Sequence, residues 1–227
     1  MQKKTEDRSV STDPPSSHRL GLWARLGETE LRRRIWHMAP GVLPLLLWPI
    51  PHEDPISPTL LAILILLNVA VGVVIYLKFG HIQRPGAPND RLSAVAGYTG
   101  SVVATLLLFP GQPELGLTVL GVLAFGDGTA TLGGLLLGGP TLPWNREKTW
   151  AGFLCFMLCG GAWASVIYWG EAQPAVSFAV ALTCVMPAAA VAAVSESIPS
   201  RLNDNIRVGL SAAVIVATLH GIVVGWS

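Results

Sequence analysis

The sequence predicts an all-α, polytopic integral membrane bundle of about seven transmembrane helices, and three observations support this fold class. Of the 227 residues, 51% are hydrophobic and only 13% are charged. The apolar residues come in long runs, whereas a soluble core alternates apolar and polar faces. A bilayer core about 30 Å thick needs roughly 20 helical residues to cross it, and most of the runs approach that length.

Hydropathy places seven spans, at residues 36–50, 58–79, 92–109, 115–138, 150–169, 175–194 and 206–225. The first span is short and is interrupted by Pro40 and Pro44, so it fits a membrane crossing less well than the other six. Residues 1–30 are polar and charged and are predicted to form a disordered cytoplasmic tail. Residues 31–227 are then predicted to form one transmembrane domain. The net charge of +1 gives no sign of nucleic-acid binding.

The distribution of charge predicts the orientation. All 15 Lys and Arg lie on one set of alternating connections, while the connections at 51–57, 110–114 and 170–174 carry acidic residues and no basic ones. The positive-inside rule therefore places the amino terminus in the cytoplasm and the carboxyl terminus outside. Acidic residues within the first 20 positions argue against a transit peptide, which favours a bacterial-type plasma membrane.

Polar residues are predicted to gather at the cytoplasmic side. Asp127 lies in "LAFGDGTATLGGLLLG", about 18 Å from the predicted outer end of its span. A carboxylate costs about 3 kcal/mol or more in lipid, so Asp127 is a functional candidate. The other candidates lie in the cytoplasmic connections: Arg33, Arg34 and His37 in "RRRIWHM", Lys148 and Thr149 in "REKTWAG", and Glu196, Asp204 and Asn205 in "SESIPSRLNDN".

These residue types suit chemistry on phosphates. Carboxylates and an Asn carbonyl are hard oxygen ligands for Mg²⁺, which also contacts nucleotide phosphates. A lysine supplies a point charge for a phosphoryl group. Neither the GxxxxGK[ST] spacing of a P-loop nor GxGxxG is present. The residues alone predict a membrane-embedded site for an anionic, phosphorylated ligand, and they do not select the reaction.

The ordered set of motifs resembles the polyprenol kinase family, which includes phytol kinase, dolichol kinase and the CTP-dependent diacylglycerol kinase. The similar elements are "RRRIWH", "FGDGTATLGG", "EKTWAG" and "SESIPSRLNDN", in the family's order over residues 32 to about 210. Two features depart from the family pattern. No Arg or Lys follows the Gly-Asp helix in "GGLLLGG", and Ala151 stands where a Glu is frequent.

The resemblance implies a membrane-embedded kinase with Mg²⁺ as its cofactor. It would transfer the γ-phosphoryl group of a nucleoside triphosphate, with CTP or UTP favoured, to a lipid alcohol. The alcohol would be an isoprenoid such as phytol, geranylgeraniol or a polyprenol, or diacylglycerol.

The resemblance also implies roles for the candidate residues. Asp127 and Asp204 would bind Mg²⁺, or one of them would accept the hydroxyl proton. The remaining roles are phosphate binding by Lys148, Thr149, Arg33 and Arg34, and completion of the metal or nucleotide shell by Glu196 and Asn205, with His37 as a further candidate.

Two alternatives stay open. A CTP-dependent lipid-phosphate cytidylyltransferase is distantly similar, although the combined His-Gly-Gly…Asp-Arg signature that is typical of that group near the end of the chain is absent. A small transporter would use Asp127 as its ion site. Alternating access needs polar residues on both sides of the midplane, and the sequence predicts an outer half with few of them.

Overall fold

The computed structural model describes residues 27–50, 55–78 and 91–226. The predicted tail at residues 1–30 lies outside the described residues except for its last four positions. Parts of two predicted connections, residues 51–54 and 79–90, lie outside them as well.

The described residues form ten α-helices, two short strands and three irregular helical turns. In chain order the helices are α1 Glu28–Met38, α2 Leu43–Leu47, α3 Pro58–Lys78, α4 Arg91–Leu108, α5 Pro113–Gly121, α6 Asp127–Leu137, α7 Trp150–Cys155, α8 Gly161–Glu171, α9 Phe178–Ser197 and α10 Asp204–Val223. A 3₁₀ turn covers Ala39–Val42, and π-helical turns cover Val122–Gly126 and Phe156–Gly160. Strands β1 Thr141–Leu142 and β2 Asn145–Thr149 pair antiparallel.

The predicted fold class is confirmed. Five helical segments are long and apolar enough to cross a membrane: Pro58–Lys78, Pro113–Leu137, Trp150–Glu171, Phe178–Ser197 and Asp204–Val223. A shorter apolar helix covers Leu92–Leu108. Three of the five long segments are continuous α-helices. The other two contain the π turns.

The first predicted span, at residues 36–50, is not one continuous helix. Helix α1 ends at Met38, the 3₁₀ turn follows, and α2 is only five residues long. Proline has no backbone N–H and clashes with the preceding turn, so Pro40 and Pro44 interrupt the helical hydrogen bonds. The bent segment packs against the bundle, where Trp163 Nε1 donates a hydrogen bond of 2.9 Å to the Gly41 carbonyl.

Helix α5 is the centre of the bundle, because every residue from Pro113 to Gly121 is buried. Small residues allow its neighbours to approach closely. A Cβ at Gly116 would lie 2.6 Å from the Leu106 side chain of α4, and a Cβ at Gly121 would lie 2.7 Å from Ile167 of α8. The polypeptide then continues through the first π turn into α6, so Asp127 is the first residue of α6 within the central span.

The two π turns pack against each other. A Cβ at Gly160 would lie 2.6 Å from Gly126 Cα, and one at Gly126 would meet the ring of Phe156 at 2.6 Å. A π turn widens the helix by one residue and is frequent at functional sites. The first π turn ends immediately before Asp127, so this contact lies next to Asp127 in the sequence.

A β-hairpin connects α6 to α7 at the Asp127 end of the bundle. Gly138 and Gly139 have φ angles of 62° and 96°, which glycine adopts without steric cost, and they end α6. At the end of β2, the Thr149 hydroxyl accepts a hydrogen bond of 3.1 Å from the Gly152 amide and caps α7. The hairpin thereby carries Lys148 back toward the bundle.

Candidate active site

Asp127 is held by two side chains of α1. Arg34 Nη1 lies 2.9 Å from Asp127 Oδ2, and His37 Nε2 lies 3.2 Å from the same oxygen. His37 Nε2 also lies 3.1 Å from the Leu123 carbonyl. Both of these neighbours are acceptors, so a proton on Nε2 would let the ring donate to them. The Asp127 side chain keeps 29% of its surface exposed. The carboxylate is therefore paired and partly accessible.

Two further residues orient this group, and the sequence interpretation missed both. Glu30 Oε1 accepts from Arg34 Nε at 3.0 Å and from Arg33 Nη2 at 2.8 Å, so one carboxylate aligns both arginines. The spacings of three and four residues along α1 were a usable signal for these pairs. Tyr98 of α4 packs edge-on against the His37 ring, with 5.2 Å between centroids. No sequence pattern identified Tyr98.

Lys148 joins two of the predicted acids. Its ammonium group donates to the Glu196 carboxylate and to the Glu196 carbonyl, the latter at 2.6 Å. Asp204 Oδ2 lies 3.9 Å from the same nitrogen. Asp204 also pairs with Arg207, one turn further along α10. The sequence interpretation treated Arg207 only as an orientation signal.

The two groups lie close enough to interact. Arg33, Arg34 and Lys148 all act electrostatically on Asp127, and the charge of Asp127 acts on Glu196. The side chains come from α1, α6, β2, α9 and α10, and 93 residues separate Arg34 from Asp127 along the chain. The bundle therefore brings sequence-distant acids and bases to one end. Their chemical roles stay predictions.

Thr149 and Asn205 occupy structural positions at this end. Thr149 caps α7, as described above. Asn205 Nδ2 donates a hydrogen bond of 2.8 Å to the Ala94 carbonyl and so connects α10 to α4. The Asn205 backbone N–H donates a hydrogen bond of 2.9 Å to Oδ1 of Asn203, which is the N-cap residue of α10. The predicted phosphate contacts of both residues are not tested by these bonds.

The carboxylates are of the ligand type that binds a divalent cation, but they are not clustered as a metal site. Within the described ranges, no three His, Cys, Asp or Glu side chains lie together as a metal site. Asp127, Glu196 and Asp204 each contact a cationic side chain instead. Mg²⁺ usually takes one or two carboxylates together with substrate phosphates, so it does not need a cage made only of protein ligands. Metal binding by these three residues stays a prediction.

The opposite end of the bundle is not bare, and the premise used against a transporter is wrong. Glu114 is fully buried in the first turn of α5, where the helix dipole favours an acid. His220 Nδ1 lies 3.7 Å from Glu114 Oε1 and 2.7 Å from the Tyr168 hydroxyl. The sequence interpretation started this span at residue 115. The helix begins at Pro113, so Glu114 lies within it and not in a connection.

Comparison with known proteins finds several curated plant relatives. A probable phytol kinase 1, chloroplastic, of Oryza sativa subsp. japonica is 28% identical over 214 residues, which cover 88% of this chain and 68% of the relative. The farnesol kinase, chloroplastic, of Arabidopsis thaliana is 26% identical over 216 residues, with coverage of 86% and 69%. The phytol kinase 1, chloroplastic, of Arabidopsis thaliana is 26% identical over 204 residues, with coverage of 85% and 67%. No family model and no solved structure matches.

Proposed function

We propose that this chain, a relative of the polyprenol kinase family, transfers the γ-phosphoryl group of a nucleoside triphosphate to an isoprenoid alcohol. The curated relatives confirm the predicted kinship with that family. Their printed names specify phytol and farnesol, which are both isoprenoid alcohols. An alcohol of that class, or a longer polyprenol or diacylglycerol, is the proposed acceptor.

The observation that carries the proposal is the pairing of Arg34 and His37 with Asp127 beside the pair of Lys148 and Glu196. Phosphoryl transfer needs little covalent chemistry from the protein. It needs cations for the phosphates, an acid for the hydroxyl, and fixed positions for both. The Asp127 end of the bundle carries cationic side chains and carboxylates of these kinds, which supports the proposal.

The proposed division of labour follows the contacts. Lys148 and Arg33 bind the phosphates, and Lys148 exchanges its contacts with Glu196 and Asp204 for phosphoryl oxygens. Arg34 and His37 hold Asp127 so that its carboxylate meets the lipid hydroxyl. The hydroxyl oxygen attacks the γ-phosphorus, its proton passes to a carboxylate, and the nucleoside diphosphate leaves. Asp127 is the proposed acceptor of the proton, with Asp204 as the alternative.

Mg²⁺ is the proposed cofactor. Asp127 and Asp204 would hold it through their carboxylate oxygens, with Glu196 and Asn205 completing the shell around the metal or the nucleotide. The metal would neutralise charge on the phosphates during transfer. CTP or UTP is the proposed donor, on the basis of the family resemblance.

We also propose that the Asp127 end faces the cytoplasm of a bacterial-type plasma membrane. Basic side chains such as Lys148, Arg201 and Arg207 lie at this end, while the opposite end carries Glu114 and Glu171, which fits the positive-inside rule. The relatives are named chloroplastic. That location is a statement about the relatives, and it is not carried over to this chain.

A labelling experiment tests the proposal. Protein purified in detergent is incubated with Mg²⁺, each γ-labelled nucleoside triphosphate in turn, and phytol, geranylgeraniol, farnesol, a polyprenol or diacylglycerol. Label in one lipid supports the kinase and identifies both substrates. Transfer from α-labelled CTP to a lipid phosphate would favour the cytidylyltransferase instead. No transfer in either assay would contradict the proposed function.

A further inference from the structure

The β-hairpin is docked on the carboxyl-terminal end of α9 by the two residues at its tip. Trp144 Nε1 donates a hydrogen bond of 3.0 Å to the Ser197 hydroxyl. Asn145 Nδ2 donates a hydrogen bond of 3.0 Å to the Ser197 carbonyl. Leu142 of β1 is buried with 1% exposure and anchors the other strand. The hairpin is thus attached to α9 just before Lys148.

These bonds occupy carbonyls that a helix leaves without intrahelical partners. The last four carbonyls of an α-helix need donors from elsewhere. The Glu196 carbonyl accepts from Lys148 and the Ser197 carbonyl accepts from Asn145. Arg207 of α10 donates to the carbonyls of Ser195 and Ile198. The end of α9 is therefore capped by side chains of the hairpin and of α10.

The same capping determines where Lys148 can reach. A lysine has a flexible four-carbon stem, so its ammonium group is placed only if its backbone is fixed. Asn145 fixes the backbone that precedes Lys148 through two hydrogen bonds. Its Nδ2 binds α9, while its Oδ1 accepts from the Glu147 amide at 3.0 Å and braces the strand next to Lys148.

We propose that Asn145, assisted by Trp144, is a positioning residue for Lys148. By docking the hairpin on α9, it places the Lys148 ammonium group beside Glu196 and Asp204, where the nucleotide phosphates bind. This inference rests on the proposed function, because it assigns a nucleotide-directed role to Lys148. Neither Asn145 nor Trp144 touches the reacting atoms.

Asn145→Asp is the sharpest variant for the kinetic test. It keeps the size of the side chain and the Oδ1 acceptor for the Glu147 amide, and it replaces the Nδ2 donor by an oxygen that faces the Ser197 carbonyl. We expect the KM for the nucleotide to rise about tenfold, equivalent to about 1.4 kcal/mol. The KM for the alcohol stays unchanged. Trp144→Phe, which removes only the Nε1 donor, has a smaller effect in the same direction.

A double-mutant cycle separates positioning from general damage. In a Lys148→Met background, Asn145→Asp has no further effect on the KM for the nucleotide, because the group that it positions is gone. Arg146→Met, which removes an exposed cation from the same strand, leaves the kinetics unchanged and is the matched control. An additive effect in the Lys148→Met background would overturn the inference. So would an equal rise in both KM values.

Amide hydrogen exchange tests the docking of the hairpin independently of kinase activity. Asn145→Asp is expected to speed amide exchange across residues 141–149 and to leave residues 161–171 of α8 unchanged. Unchanged exchange in the hairpin would overturn the inference, whatever the kinetics. A wild-type protein without kinase activity would instead reject the proposed function, and the exchange data would still decide whether Asn145 docks the hairpin.

Discussion

At the scale of single residues, Asp127 shows how an acid is accommodated inside a membrane span. A lone carboxylate at this depth costs several kcal/mol, and that cost falls only when donors replace water. Arg34 and His37 supply those donors, and Glu30 holds Arg34 from its other side. The carboxylate therefore remains in place while part of its surface stays open.

Removing Arg34 is expected to destabilise the protein through the charge left on Asp127. Arg34→Ala should lower the free energy of unfolding by about 2 kcal/mol, less than for a fully buried pair because Asp127 remains partly exposed. Asp127→Asn in the same chain should recover part of this loss. Unfolding in detergent is measured for Arg34→Ala, for Asp127→Asn and for the double variant. Purely additive losses would contradict the pairing.

At the scale of elements, regular and irregular segments differed in how well the sequence predicted them. The helices that correspond to the last six predicted spans begin and end within three residues of the prediction, because long apolar runs determine where a chain enters and leaves a bilayer. The π turns around Gly126 and Gly160 depend on packing between distant helices. No local pattern carries that information.

The sequence also indicated the candidate residues of the site, and their chemical roles stay predictions. Asp127 is a charge with no inexpensive place in lipid, and Lys148, Glu196 and Asp204 belong to motifs in the predicted cytoplasmic connections. Tyr98 and Asn145 matter through partners 61 and 52 residues away in sequence. Long-range contacts of this kind are visible only in the folded chain. The first span is not one continuous helix because Pro40 and Pro44 interrupt its hydrogen bonds, which the sequence indicated and a hydropathy average alone does not register.

The contact between the π turns predicts that the methyl group added by Gly160→Ala is destabilising. Gly160→Ala places a Cβ against the backbone of Gly126, where nothing can move aside easily, and should cost about 1–3 kcal/mol of stability. It should also lower kinase activity, because it displaces the residue before Asp127. The control is Gly100→Ala on α4, where a new Cβ meets nothing within 4 Å.

Thermal unfolding and label transfer are measured on both glycine variants. Gly100→Ala should retain stability and activity, since alanine is the better helix former. Equal behaviour of the two variants would show that the contact between the π turns does not place Asp127.

At the scale of the whole molecule, the two ends of the bundle carry polar clusters with different surroundings. The Asp127 end is partly open and contains four cationic side chains among its contacts, Arg33, Arg34, Lys148 and Arg207, together with the imidazole of His37. The opposite cluster of Glu114, Tyr168 and His220 is buried and links α5, α8 and α10. The first arrangement suits a ligand, and the second suits cohesion of the helices.

Tyr168→Phe tests this separation between the ends. Loss of the hydroxyl removes the 2.7 Å bond to His220 and should destabilise the bundle by about 1 kcal/mol. The kcat and both KM values should not change, because the proposed reacting groups lie at the other end. Unfolding and kinetics are measured on the same preparation. A selective loss of kcat would show that the buried cluster takes part in the reaction.

The central claim is that the Asp127 end transfers a phosphoryl group to a lipid alcohol. The most direct measurement is transfer of γ-label to the preferred alcohol by wild type, by Asp127→Asn and by the control Glu147→Gln, which neutralises an exposed acid on β2. The account predicts transfer by wild type and control, with a loss of about 100-fold or more in Asp127→Asn. Near-full transfer by a folded Asp127→Asn protein would contradict it.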